Sequence, residues 1–130
     1  MLSERADSFL NLPDVDTIEA EVKFSRIGKV KIRAMSESKF QELRQQSKVS
    51  LDKNKNLKGG NSLNLLIVES QCIEPDFSNT DFLAKAGCRL GRDFIQKKLL
   101  PGEIAEIANE VLKISGFAVD EAVEEEVKNS

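Results

Sequence analysis

The stretch from Thr17 to Ala34 reads TIEAEVKFSRIGKVKIRA, and apolar and polar residues alternate along both of its halves. The apolar positions of the two halves are Ile18, Ala20, Val22, Phe24 and Val30, Ile32, Ala34. A period of two is typical of a strand with one buried face. Ser25 to Gly28 separates the halves, and Gly28 can adopt the positive φ of a tight connection. The stretch therefore predicts an antiparallel β-hairpin over residues 17–34.

Beyond the hairpin, apolar residues recur at helical spacing. Helices are predicted over 36–46, 61–73, from Asn79 or Thr80 to Gly87, over 92–100 and over 103–115. The segment 61–73 is apolar nearly all round, which indicates the centre of the core. The predicted fold class is α+β: an N-terminal antiparallel β-hairpin followed by a mostly α-helical domain of about five helices. The helical core is placed at 61–116.

Two segments carry too little apolar surface to belong to that core. Residues 47–60 are rich in lysine and asparagine and end in two glycines, which predicts a flexible basic loop. Residues 117–130 are crowded with glutamates, which predicts an acidic tail whose helix is marginal on its own. With 130 residues, the chain has room for a single domain, 1–130.

Composition narrows the classes of function. The chain contains seven Phe but no His, Trp or Tyr, so it lacks an imidazole for metal ligation or general-base catalysis. We therefore expect a protein that is not an enzyme, with no cofactor, no metal and no small-molecule substrate. Cys72 and Cys88 are expected to be reduced, and neither a signal sequence nor an apolar run long enough for a membrane span is visible. These features predict a cytoplasmic protein without membrane contact.

Charge is unevenly distributed along the chain. Residues 23–58 are strongly basic, whereas 103–130 are strongly acidic. A basic surface can contact phosphates, but few aromatic residues are present to stack on bases, so no nucleic-acid partner is expected. Complementary patches would also allow copies of the chain to meet head to tail, which leaves a homo-oligomer possible.

Four blocks of sequence, in this order, resemble phage tail assembly chaperones of the XkdN-like type. They are KIRAMSESKFQEL (31–43), LIVESQCIEPDF (66–77), LLPGEI (99–104) and ISGF (114–117). The resemblance implies a protein of a phage or prophage that binds the tape measure protein in the bacterial host cytoplasm. Such a chaperone keeps its long helical client soluble until the tail tube polymerises, and it is not expected in the mature virion.

The resemblance also implies further partners, the tail tube protein and a frameshifted longer form of the chain itself. It does not assign binding residues. From the apolar positions of the last predicted helices, we expect partner contacts at Leu99, Leu100, Ile104, Ile107, Val111 and Phe117. The alternatives are a structural tail or connector component retained in the virion, and a small nucleic-acid-binding regulator that uses Lys53, Lys55 and Lys58.

Overall fold

The computed structural model describes residues 2–52 and 62–117. Its elements are α1 (Glu4–Leu10), a 3-10 helix (Val15–Thr17), β1 (Glu19–Phe24), β2 (Gly28–Arg33), α2 (Glu37–Asp52), α3 (Leu63–Gln71), β3 (Cys72–Glu74), α4 (Thr80–Ala86), α5 (Gly91–Lys98) and α6 (Pro101–Ile114). Within the described ranges, five helices follow the hairpin. The α+β prediction is therefore confirmed.

The hairpin has the predicted antiparallel pairing. Val22 lies opposite Val30 and Phe24 opposite Gly28, whose φ of 83° is the positive value expected of this glycine. A third strand, β3, joins the free edge of β2 in the sheet order β1-β2-β3. The hairpin prediction is confirmed, and the third strand is an addition to it.

The strand β3 replaces the end of a predicted helix. The helix predicted over 61–73 ends at Gln71, because the next residues pair with the edge of β2, Cys72 opposite Ile32. The buried Gln71 side chain also donates a hydrogen bond of 2.9 Å to the carbonyl of Ala34. Unpaired backbone groups at a sheet edge are costly when covered, so this pairing outweighs the helical preference of the local sequence.

The helix α3 occupies the centre of the core, as predicted. Leu65, Leu66, Ile67 and Val68 are each at most 2% exposed. The helix packs against α6, α5 and α2, while α6 also contacts both strands of the hairpin. Its N-cap is Ser62, whose side chain accepts a hydrogen bond from the backbone N–H of Leu65.

Two predicted segments reach beyond the described residues. The helix α2 continues to Asp52, so the loop predicted over 47–60 overlaps its last turns. The remainder of that loop, with Lys53, Lys55 and Lys58, lies outside the described residues, and so does the acidic tail after Phe117.

The N-terminal arm, residues 2–18, was not predicted to have structure. It contains α1 and the 3-10 helix, and neither has a buried residue. Its exposed apolar side chains are Leu2, Phe9, Leu10, Leu12, Val15 and Ile18, with Phe9 at 72% and Leu10 at 70%. The arm is attached where the carbonyl of Ile18 accepts a hydrogen bond from the N–H of Ala34.

The start of α5 depends on a glycine. A Cβ added at Gly91 would overlap the carbonyl oxygen of Phe77 and come within 3.0 Å of the Phe77 Cβ. Gly91 is buried, so the backbone of α5 can approach Phe77 this closely only without a side chain. The segment between Gly87 and Gly91 is accordingly a close junction between α4 and α5.

Gly91→Ala is expected to lower the free energy of unfolding by about 1 to 3 kcal/mol, because the added methyl group overpacks a buried backbone contact. Chemical denaturation of the full chain measures this change. Gly102→Ala is the matched control, since a Cβ at Gly102 meets nothing within 4 Å and alanine favours the first turn of α6. Equal midpoints for the two variants would contradict the packing role of Gly91.

Candidate partner-binding site

An open apolar groove of about 320 Å³ lies beside the turn of the hairpin. We call it the turn groove. Its lining comes from the hairpin, the segment after β3, α5 and α6, through Arg26, Ile27, Val30, Pro75, Phe77, Phe94, Lys98, Leu99 and Ile107. The two basic side chains are the only charged groups among these lining residues. The groove therefore offers an apolar floor with basic groups at its edge.

Two phenylalanines, Phe77 and Phe94, form the wall of the turn groove, and a third, Phe82, packs against both. The ring of Phe94 lies 5.9 Å from that of Phe77 and 4.8 Å from that of Phe82, between ring centroids. Phe82 comes from α4 and packs edge-on against Phe77 at 6.0 Å. Such aromatic contacts add about 0.5 to 1.5 kcal/mol per pair beyond the area they bury, so the wall is held in place from behind.

One arginine joins the elements around the groove. The Arg26 guanidinium donates two hydrogen bonds to the carboxylate of Glu103, at 2.8 and 2.5 Å, and a third of 2.8 Å to the carbonyl of Lys98. The same carboxylate accepts the N–H of Leu100 at 2.8 Å. Arg26 thereby links the hairpin turn to the end of α5 and the start of α6, with the paired geometry typical of arginine and carboxylate.

The ion pair has an electrostatic signature. Hydrogen bonds from Arg26, and then the bond from the Leu100 N–H, lower the pKa of Glu103 below its usual range. A second groove of about 330 Å³ lies on the other side of this pair, lined by Phe24, Leu100, Gly102 and Glu106 among others. Arg26 lines both grooves.

The six expected contact residues do not form one surface. Leu100 is 56% exposed, and Leu99 is half-buried in the lining of the turn groove. Ile107 is 1% exposed and forms part of the groove floor, whereas Val111 has no exposed surface. Val111 therefore belongs to the core, where α6 packs against the buried helix α3, and it offers no surface to a partner.

The last two expected contact residues, Ile104 and Phe117, do not line the turn groove. Ile104 is half-buried and packs against the core. Phe117 lies beyond the other end of α6, with its ring 4.8 Å from that of Phe40. A helix of 14 residues is about 21 Å long, so Phe117 cannot share a surface with Leu99. The structure brings together Leu99, Leu100 and the turn groove.

Most groove residues were not among the expected sites. Ile27 was expected only as part of a connection, and Phe77 and Phe94 were not singled out. Their common signal, a large apolar side chain in or beside a predicted turn or helix end, was present in the sequence. Whether such a side chain lines a groove depends on which helices and strands meet in the fold, and the sequence does not show this.

In the ranges 2–52 and 62–117, no group of three His, Cys, Asp or Glu side chains is placed to hold a metal ion. Across those ranges, no helix is long and apolar enough to cross a membrane. Cys72 and Cys88 are free thiols, and burial raises the pKa of Cys72 to about 12. The high pKa makes Cys72 an unreactive core residue at neutral pH.

The geometry defines a small α+β protein with an open apolar groove suited to another protein's side chains. The family model of the phage XkdN-like tail assembly chaperone proteins matches residues 7–129, and the chain belongs to this family. The resemblance carried by the four sequence blocks is thus confirmed. Among curated proteins and among solved structures, none matches the chain significantly.

Glu103→Gln is expected to destabilise the chain at neutral pH, with an effect that shrinks in acid. Because the folded state lowers the pKa of Glu103, its contribution is fully present above the unfolded pKa of about 4.3 and is lost as the pH falls through the folded pKa. The difference in stability is measured as the urea midpoints of wild type and variant at pH values from neutral to strongly acidic.

Glu106→Gln, an exposed glutamate of the same helix, controls for the loss of one negative charge. A difference between wild type and Glu103→Gln that stays constant down to strongly acidic pH would contradict the role assigned to the Arg26 to Glu103 pair.

Proposed function

We propose that this chain binds the tape measure protein and keeps it soluble until the tail tube polymerises around it. The observation that carries the proposal is the turn groove, whose lining includes half-buried Leu99. The next residue, exposed Leu100, lines the neighbouring second groove. An amphipathic helix binds a partner by placing its apolar face in such a groove. Binding, without catalysis, is the activity proposed.

The groove suits a helical client in shape and chemistry. Its volume of about 320 Å³ is at the lower end of the range of roughly 300 to 1,000 Å³ for binding pockets. It therefore receives a few apolar side chains rather than a whole folded domain. A long helical client repeats such side chains along its length, so many copies of a small chaperone can cover it.

The rigid frame of the groove supports binding with little rearrangement. Arg26 fixes the hairpin turn against α5 and α6, and the phenylalanine wall is packed from behind by Phe82. A preformed groove loses less conformational entropy on binding than a flexible one. Weak contacts at each copy then suffice, since their number along one client supplies the avidity.

The proposal places the chain in the cytoplasm of the bacterial host and excludes it from the finished virion. The tail tube protein would displace it as the tube grows. Mass spectrometry of purified tails distinguishes the alternative: a chain present there at stoichiometric levels is a structural tail component, and the chaperone proposal fails.

Leu100→Asp is expected to weaken binding of the tape measure protein about tenfold, equivalent to about 1.4 kcal/mol, because a carboxylate replaces an apolar contact beside the groove. The test co-expresses the full chain with the tape measure protein of the same phage. Soluble client and co-purified complex are then quantified at moderate salt.

Leu90→Asp is the matched control. Leu90 is 43% exposed and is the N-cap of α5, as Leu100 is the N-cap of α6, and in both cases an acid three residues later accepts the N-cap N–H. Leu90 lines neither groove. If both variants solubilise the client equally well, or wild type does not solubilise it at all, the proposed site or function is wrong.

A further inference from the structure

The N-terminal arm presents apolar side chains that the other described residues, up to 52 and from 62 to 117, leave uncovered. Phe9, Leu10 and Leu12 are 72%, 70% and 61% exposed, and α1 has no buried residue. Scattered exposed leucines are ordinary, but several within one short segment mark a surface that another molecule covers. These exposures also mean that the arm does not lie in the turn groove of its own chain.

The arm and the turn groove are complementary in charge. Besides its apolar residues the arm carries Glu4, Asp7, Asp14 and Asp16 against the single base Arg5. The groove edge carries Lys98, with exposed Lys97 beside it, and its other charged lining group is Arg26. The acidic apolar arm and the basic apolar groove are thus complementary. Complementary charge raises the rate at which two molecules associate and fixes their relative orientation.

We infer that the N-terminal arm of one copy of the chain binds in the turn groove of a second copy. The apolar side chains of the arm enter the groove, and its carboxylates meet the lysines at the edge. The contact is heterologous, because the arm of one copy meets a different surface of the next.

The two surfaces lie at opposite ends of the hairpin. The arm leaves the sheet at Ile18, where its carbonyl is bonded to the N–H of Ala34, whereas the groove is built around the turn at Arg26 and Ile27. Six-residue strands separate these ends by about 20 Å. A heterologous contact between opposite ends adds copies in a row, which closes into a ring or continues as an open chain.

The arm and a client helix would occupy the same groove. Binding of the tape measure protein therefore competes with the arm of a sister copy. In the absence of client, the groove of each copy is covered by the arm of another copy. This competition rests on the proposed function, whereas the contact between copies does not.

The test measures the molar mass of the full chain by size-exclusion chromatography with light scattering over a range of concentrations. Wild type is expected to rise above its monomer mass of 14.5 kDa as concentration increases. The arm variant, Phe9→Asp with Leu10→Asp, and the groove variant, Lys98→Glu, are each expected to remain monomeric. The three positions changed in these variants, Phe9, Leu10 and Lys98, are exposed in the wild type, so the fold is retained, as circular dichroism checks.

Mixing the two variants is the decisive step. The mixture retains one intact arm, on the groove variant, and one intact groove, on the arm variant. It is expected to form a dimer of twice the monomer mass that does not grow further. Leu90→Asp and Lys85→Glu, which make the same changes at exposed positions outside the groove lining, are expected to associate like wild type.

Each contrary result overturns the inference. A wild type that is monomeric at every concentration means that the arm is free, folds back, or serves another partner. Association retained by either variant, or a mixture that stays monomeric, excludes the arm and groove contact.

The arm variant is expected to keep the tape measure protein soluble, since its groove is intact. Monomeric wild type that solubilises the client therefore refutes the inference alone, and an oligomer that does not solubilise it refutes the proposed function alone.

Discussion

Four consecutive residues of α3, Leu65 to Val68, are almost completely buried, so this helix must be covered on every side. An isolated helix of nine residues is not stable in water, and its free energy comes from the apolar area it buries. The elements packed on α3 and α6 form one cluster with the inward face of the hairpin. The helices α2, α5 and α6 pack against α3 and supply this cover.

The turn groove follows from how this cover ends. Where α5 is followed by α6, beside the hairpin turn, Arg26 bonds to Glu103 and to the carbonyl of Lys98. The aromatic rings line the opening without filling it. The surface that suits a partner is thus the edge of the core, bordered by an ion pair and an aromatic wall.

The fold could largely be predicted from local patterns. The alternation in 17–34 specified the hairpin, since a period of two places one face of each strand inward. The ends of α4 followed from Asn79 and Gly87, because these residues satisfy helical hydrogen bonding at its two ends. The helix α6 begins at Pro101, two residues before its predicted start. The strand β3 was missed, because its pairing partner lies forty residues earlier in the chain.

The site was less accessible from the sequence. The pattern of α6 identified Ile104, Ile107 and Val111 as one apolar stripe, but the same stripe serves a core or a surface equally well. Burial of Val111 and exposure of Leu100 were decided by which neighbours α6 meets. Likewise the apolar residues of the N-terminal arm carry no sequence signal that distinguishes a covered segment from an uncovered one.

By itself, the sequence determined the hairpin, the five helices that follow it, the family and the absence of histidine chemistry, because these depend on residue identity and short-range spacing. Only the tertiary structure decided that Ile27, Phe77, Phe94 and Leu99 line one groove, that Arg26 reaches Glu103, and that the arm stays exposed. The physical reason is that a side chain is buried only where another part of the structure packs against it. A sequence pattern shows which side chains are apolar, whereas the packing of distant segments decides which of them are buried.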